Sequence, residues 1–286
     1  MNETGLVLSG GGSRGSYQIG AYKALLDSDI KISAVVGTSI GAINGAYIAQ
    51  GDFDKACNIW ETLDYHRVFS ETRGILMDVE PLRQLLNDTL SEKTIRNSPI
   101  HYGFTAFNLS KRKMEYRFIE DIPQGQLIDF IMASSNVPFF KRVIIDGNHY
   151  LDGGVYDPLP RKMIYDAGYR NIISIMIDIN PYGASDHMQC DDLFEIRINH
   201  SESLGNFLSV NPALIKQNFD MGYYDTLRAL NRCTGAHYYL LPKNYRNHPL
   251  ARPFYKKDVR KLLLDPTSKS ILTNNLSLRR LLVHMT

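Results

Sequence analysis

The sequence predicts an α/β fold, and three observations carry that expectation. Its first fifty residues alternate strand, helix, strand, helix with short connections, a pattern that implies parallel strands joined by right-handed crossovers. The apolar run at 172–177 fits a parallel strand buried on both faces. A chain of 286 residues, 44% hydrophobic and 22% charged, is long enough to bury a sizeable core.

In order along the chain, residues 5–8 read as a short buried strand and 16–26 as a helix with an apolar stripe of Ile19, Tyr22, Leu25 and Leu26. Residues 33–36 form the second strand and 40–50 a helix rich in small side chains. Two strands follow at 99–109 and 113–119, joined through Asn108-Leu109-Ser110, then a helix at 126–135 that stops before Pro138. Strands at 141–145 and 149–151 flank Asp146-Gly147-Asn148, a hairpin signal. A helix at 161–167 precedes the strand at 172–177. Beyond Pro181 the pattern loosens, with strands at 193–198 and 237–241 around a long helix at 212–230. With no repeat and no linker, one domain is expected over 1–286, its core at about 5–180 and a helical, basic extension at about 200–286.

Several classes are excluded. No apolar run approaches the ~20 residues of a membrane span, and the N-terminus lacks the charged and apolar regions of a secretory signal. Cys57, Cys190 and Cys233 are odd in number and widely spaced, which suits a reducing cytoplasm. The net charge of +2 hides an asymmetry: residues 242–286 carry ten Lys or Arg and two Asp, a local +8 that leaves −6 elsewhere. That segment reads either as a solvated helical face or as a peripheral contact with an anionic membrane surface, at the inner face of the membrane. No nucleic-acid partner is expected.

Two glycine-rich motifs follow the first two strands. Gly10-Gly11-Gly12-Ser13-Arg14-Gly15 satisfies the dinucleotide pattern G-x-G-x-x-G, but that reading needs an acid at the end of the second strand to hold a ribose. The second strand ends instead in Gly37-Thr38-Ser39-Ile40-Gly41, the G-x-S-x-G of a nucleophile elbow in its strand-turn-helix setting. Ser39 is therefore the candidate nucleophile, and Gly37 and Gly41 supply the side-chain-free flanks of a sharp turn. Both loops leave the carboxyl ends of neighbouring parallel strands, so they converge, and Gly10, Gly11 and Gly12 become candidate oxyanion donors.

With Asp152-Gly153-Gly154 downstream, these motifs make the chain resemble the patatin-like phospholipase family, whose members pair a G-G-G-x-R-G loop, a G-x-S-x-G elbow and a later D-G-G or D-G-A. The resemblance covers about residues 5–180. It implies a three-layer α/β/α sandwich with a mostly parallel central sheet, a Ser39–Asp152 dyad without histidine, and hydrolysis of lipid acyl esters, as a phospholipase A or lysophospholipase, without metal or cofactor. Two departures stand out: Asp157-Pro158-Leu159-Pro160 where the family commonly has Asn before its x-Pro, and Phe139-Phe140-Lys141 after Pro138.

The residues alone leave alternatives open. Asp152-Gly153 is also an ordinary turn signal. A Ser-Asp-His triad remains available to His187, His200 or His237, whereas His149 is an odd number of positions from Asp152 and points to the other face of an extended strand. A non-catalytic lipid-binding or dinucleotide-binding protein is the remaining class. His187, Cys190, Asp191 and Asp192 match no standard metal spacing and read as a polar loop. Arg14 either braces the glycine loop through carbonyls or orients an anionic head group. The aromatic pairs Phe139-Phe140, Tyr223-Tyr224 and Tyr238-Tyr239 are candidates for an acyl channel or for core.

Overall fold

The computed structural model describes residues 3–70, 76–177 and 190–234. β1 (Thr4–Leu8) runs through a 3-10 turn (Gly12–Gly15) into α1 (Ser16–Asp27), followed by β2 (Ala34–Thr38) and α2 (Ile40–Gln50). Next come α3 (Phe53–Glu61), α4 (Glu80–Thr89) and α5 (Glu92–Arg96), in a stretch to which the sequence reading assigns nothing. The signal was present: Ala56, Ile59 and Trp60 are the buried residues of α3, and the side chains of Asp52 and Ser91 cap α3 and α5.

The remaining described elements are β3 (His101–Asn108), β4 (Lys113–Phe118), α6 (Leu127–Ser134), β5 (Val143–Ile145), β6 (Asn148–Asp152), α7 (Arg161–Asp166), β7 (Asn171–Met176), β8 (Phe194–Asn199) and α8 (Pro212–Ala229). Each lies within two residues of its expected span, the usual uncertainty at element ends. The strand expected at 237–241 and the basic segment at 242–286 lie outside the described residues.

The strands form one sheet in the order β5-β6-β3-β2-β1-β7-β8, with β4 on β3 as well. Strands β3, β2, β1, β7 and β8 are parallel; β4, β5 and β6 add antiparallel pairings. Alternation along the central strands divides the core into two layers. Leu6, Leu8, Val35, Ile173 and Ile175 face the larger cluster, shared with α1, α2 and α6, while Val7, Ala34, Val36 and Ile172 face Met163 and Ile164 of α7. The result is the expected three-layer α/β/α arrangement.

Helix α8 crosses α1 at very close range. A methyl group at Gly20 would sit 1.9 Å from the Phe219 carbonyl oxygen, and one at Gly222 2.0 Å from that of Tyr17. Tyr17 Oη donates to the buried Asp225 carboxylate at 3.0 Å, and Asn218 Nδ2 donates to the Leu204 carbonyl at 3.1 Å. This anchoring brings the 203–210 loop to the glycine loop. Among the described residues no helix is long and apolar enough to cross a membrane.

Candidate active site

Two strands converge along one edge of β3. β2 runs parallel to β3 with Thr38 opposite Thr105; β6 runs antiparallel with Asp152 opposite Ala106. β4 occupies the other edge of β3 from Gly103 to Asn108, across the junction of the two stretches, so β2 and β6 meet end to end. Their last residues thus occupy adjacent positions on β3, and Ser39 follows directly. Thr38 Oγ1 donates to the Asp157 carbonyl at 3.0 Å and therefore accepts from Thr105 Oγ1 at 2.8 Å, which pins the junction.

Ser39 has φ 57° and ψ −124°, a conformation that costs a non-glycine residue about 1–3 kcal/mol and persists only where its surroundings impose it. Here the backbone packing imposes it. A methyl on Gly37 would lie 2.2 Å from the Gly41 carbonyl oxygen, and one on Gly41 2.4 Å from that of Leu8. The Ser39 N–H donates to Ser134 Oγ at 3.0 Å, and its carbonyl accepts the Ala42 N–H at 2.9 Å, starting α2. Ser39 is buried at 8% exposure and Asp152 at 4%, and both line one cavity of about 420 Å³.

Gly10, Gly11 and Gly12 line the same cavity, and a methyl placed on Gly10 would lie 3.4 Å from Ser39 Cβ. The structure separates the three. The Gly10 N–H is committed to the Pro158 carbonyl at 2.9 Å, so it is not available as an oxyanion donor in this state. Gly11 (φ 149°) and Gly12 (φ 59°) adopt left-handed backbone, and among the described residues their N–H groups have no acceptor. The loop is held from its far side: Ser13 N–H donates to the Phe207 carbonyl at 2.7 Å and Arg14 Nε to the Gly205 carbonyl at 2.9 Å. Arg14 thus has the bracing contact. The Gly15 carbonyl accepts from Asn44 Nδ2 at 2.9 Å.

Asp152 ends β6. Its Oδ1 accepts the Gly154 N–H at 2.7 Å, so the Asp-Gly turn and the carboxylate's placement at the cavity are one feature. Gly153 and Gly154 open a 3-10 turn (Gly153–Val155) that returns the chain to Pro158, the acceptor for Gly10.

The rest of the cavity is largely apolar, and a large part of its wall comes from the stretch left unassigned from sequence. α3 contributes Ile59 and Trp60, α4 contributes Leu82, Leu85 and Leu86, and Leu63, Val68 and Phe69 connect them. Phe140 joins this wall, whereas Tyr223 and Tyr224 pack beside Ala24 and Leu227, away from it. At the α2 wall, burial pushes the Tyr47 phenol up to about 12, so it stays neutral, with its Oη 2.7 Å from Thr89 Oγ1. A fully buried polar chain underlies the glycine loop: Trp60 Nε1 donates to Asn44 Oδ1 at 3.0 Å, Asn44 Nδ2 to Gln18 Oε1 at 2.9 Å, and Gln18 Nε2 to the Ser9 carbonyl at 2.8 Å. Nothing in the motif reading pointed to this network, or to the contacts of Ser134.

Among the described residues no histidine lines the cavity. His200 Nδ1 lies 2.8 Å from the Glu202 carbonyl, with the ring edge-on to Tyr17, and His149 sits half-buried on β6. His187 and His237 lie outside the described residues. Asp192 accepts from Tyr165 and Arg170, and among the described residues no group of three His, Cys, Asp or Glu is arranged to hold a metal.

Comparison with known proteins agrees with this architecture. The chain is 28% identical over 181 residues to an uncharacterised NTE family protein of Mycobacterium tuberculosis, covering 61% of this chain and 48% of that protein. It is 28% identical over 210 residues to a lysophospholipase of Aspergillus terreus, covering 64% of this chain and 13% of that protein. The chain therefore spans about half the length of the mycobacterial relative and a small part of the fungal one. Among solved structures, VipD from Legionella pneumophila superposes with a TM-score of 0.60 at 15% identity, over 81% of this chain and 67% of VipD, a likeness of fold. The family model for patatin-like phospholipase matches residues 6–165. That match takes in more than half of the chain, including the glycine loop, the elbow and Asp152-Gly153-Gly154, and on it the chain belongs to the patatin-like phospholipase family.

Proposed function

We propose that this chain is a serine-dependent lipid acyl hydrolase, of phospholipase A or lysophospholipase type, with Ser39 as nucleophile and Asp152 as base. The observation that carries this reading is the strained Ser39 on its strand-turn-helix elbow, sharing with Asp152 the polar end of an otherwise apolar cavity. An acyl chain suits the apolar end, and an ester carbonyl then reaches the polar end.

In the proposed cycle Ser39 Oγ attacks the ester carbonyl carbon as Asp152 takes the hydroxyl proton. The tetrahedral oxyanion accepts from the N–H groups of Gly11 and Gly12, with Gly10 holding the loop against Pro158. Collapse breaks the bond to the alcohol, which leaves with the proton from Asp152. Water then attacks the acyl-enzyme, Asp152 takes its proton, the fatty acid departs, and Ser39 regains its hydrogen. A carboxylate normally ionises near pH 4 and needs close, oriented contact to serve as base. The short tether from Oδ1 to the Gly154 N–H supports such orientation.

The test is labelling by a fluorophosphonate probe together with product analysis on a panel of phospholipids and lysophospholipids. Wild type should label and release fatty acid, while Ser39→Ala should do neither. Hydrolysis by Ser39→Ala at the wild-type rate overturns the assignment. We further propose that the basic segment attracts anionic membrane surface, at up to about 1 kcal/mol per well-placed Lys or Arg. Changing Lys256, Lys257, Arg260 and Lys261 together to Gln should then weaken binding to anionic vesicles and leave hydrolysis of a soluble ester intact; unchanged, salt-insensitive binding would return the segment to a solvated face.

A further inference from the structure

The segment that ends α6 touches both halves of the proposed dyad at once. Ser134 is fully buried, and its Oγ accepts the Ser39 N–H at 3.0 Å. Two residues on, Asn136, 1% exposed, grips β6 twice: its carbonyl accepts the Asp152 N–H at 2.8 Å, and its Nδ2 donates to the Tyr150 carbonyl at 2.9 Å. Between them Ser135 lines the cavity.

Sheet topology explains why β6 needs such a partner. One edge of β6 pairs with β3 through Asp152, Leu151 and Tyr150. β5 covers the other edge only as far as Tyr150, so the end of the strand, where Asp152 sits, would lose its neighbour there. Asn136 takes over that edge, extending it by one main-chain and one side-chain bond. The Asn136 Oδ1 is itself buried without a donor among the described residues, so the donor Nδ2 is the useful half of this side chain.

We infer that Ser134 and Asn136 are positioning residues of a single clamp, which holds the elbow of Ser39 and the strand end of Asp152 in mutual register. The inference rests on the Ser39–Asp152 reading above. Neither residue is assigned contact with substrate; each acts through the backbone of its neighbour. The elbow is strained, so the Ser134 hydroxyl opposes its relaxation, and a small displacement of the reacting groups is enough to slow an attack that depends on alignment.

The test compares Ser134→Thr with Ser134→Val, which match in shape and differ in the hydroxyl, alongside Ser134→Ala, Asn136→Ala and Ser39→Ala. Readouts are kcat and KM on a soluble ester, the rate of fluorophosphonate labelling, and Tm. Ser134→Val, Ser134→Ala and Asn136→Ala should lose roughly tenfold or more in kcat and in labelling rate, with KM within about twofold, as expected for misalignment rather than lost binding. Ser134→Thr should keep most of both. Equal kcat in the Thr and Val variants, or losses that appear mainly in KM, would overturn the clamp. So would Ala and Val variants that fail to fold while Thr folds, since the hydroxyl would then be a determinant of folding. If Ser39→Ala is inactive while the clamp variants turn over normally, the clamp alone fails; if Ser39→Ala remains active, the nucleophile assignment fails first.

Discussion

At its polar end the cavity is lined by tight turns, Gly10 to Arg14, Ser39, Ser135, and Asp152 with Gly154, whereas its apolar end is lined by the side-chain faces of α2, α3 and α4. The turns demand particular residues. Gly37 and Gly41 approach each other too closely for any side chain, and Gly12 lies where a methyl would be 2.2 Å from the Phe207 carbonyl oxygen. The helical faces demand only apolar side chains of suitable volume, because volume-conserving exchanges in a core usually cost less than about 1.5 kcal/mol. One end of the cavity is thus specified residue by residue and the other by composition.

The sharpest test of this contrast is at the polar end. Ser39→Ala or Asp152→Asn should lower turnover on the order of 10³-fold or more while Tm stays close to wild type, since both remove a proposed reacting group with little change of volume. Loss of activity in His187→Ala or His237→Ala as deep as that in Asp152→Asn would replace the dyad by a triad. Gly12→Ala should cost on the order of 10²-fold in kcat if Gly12 serves as the proposed oxyanion donor, the usual consequence of losing one. It should also lower Tm, because the methyl meets backbone. An unaltered rate would show that this turn is less demanding than its geometry indicates.

At the apolar end, Leu85→Ala should lower stability by about 2–5 kcal/mol in denaturant titration. Its kcat/KM on a short soluble ester should remain within about threefold of wild type, and its preference among acyl lengths should change. A collapse of kcat on the short ester would erase the distinction between the two ends. Trp60→Phe tests the link between them, since it leaves Asn44 Oδ1 buried without its donor, at a cost of about 1–3 kcal/mol, below the glycine loop. The smallest effect is a pH dependence. Burial raises the Glu115 carboxyl, but hydrogen bonds from Arg117, Asn108 and Tyr150 outweigh it and hold the group below the usual range. A depressed folded value means its stabilisation is present at neutral pH and lost as pH falls through that folded value. The Tm difference between wild type and Glu115→Gln should therefore shrink between pH 7 and pH 3, and a gap that widens would refute that sign.

This contrast also accounts for what could be read from the sequence. Strands β1 and β2 and helices α1 and α2 were legible because short apolar strands alternate there with longer helical runs across short connections. Ser39 and the glycine turns were legible because only glycine fits where backbone meets backbone. The α3 and α4 wall carries no residue type that marks it as the lining of a cavity, since Ile59, Leu82 and Leu85 suit any core equally well. Ser134 and Asn136 stayed hidden for another reason: their partners are backbone groups far away in sequence, and a buried Ser or Asn at the end of a helix reads only as a helix end. The commitment of Gly10 to Pro158 was hidden in the same way.

The end-to-end meeting of β2 and β6 on β3 also bears on how the proposed activity would arise during folding. Ser39 and Asp152 stand 113 residues apart in sequence, and their juxtaposition requires β3 to be in place before β6 can dock beside β2. Contacts of such long range form slowly because chain closure must precede them. During refolding, helical signal should return first and hydrolysis last. Activity would thus report arrival of the β5–β6 hairpin, rather than secondary structure at large. The same dependence makes that hairpin a point of vulnerability: its detachment alone separates Asp152 from Ser39 while most of the parallel sheet remains intact.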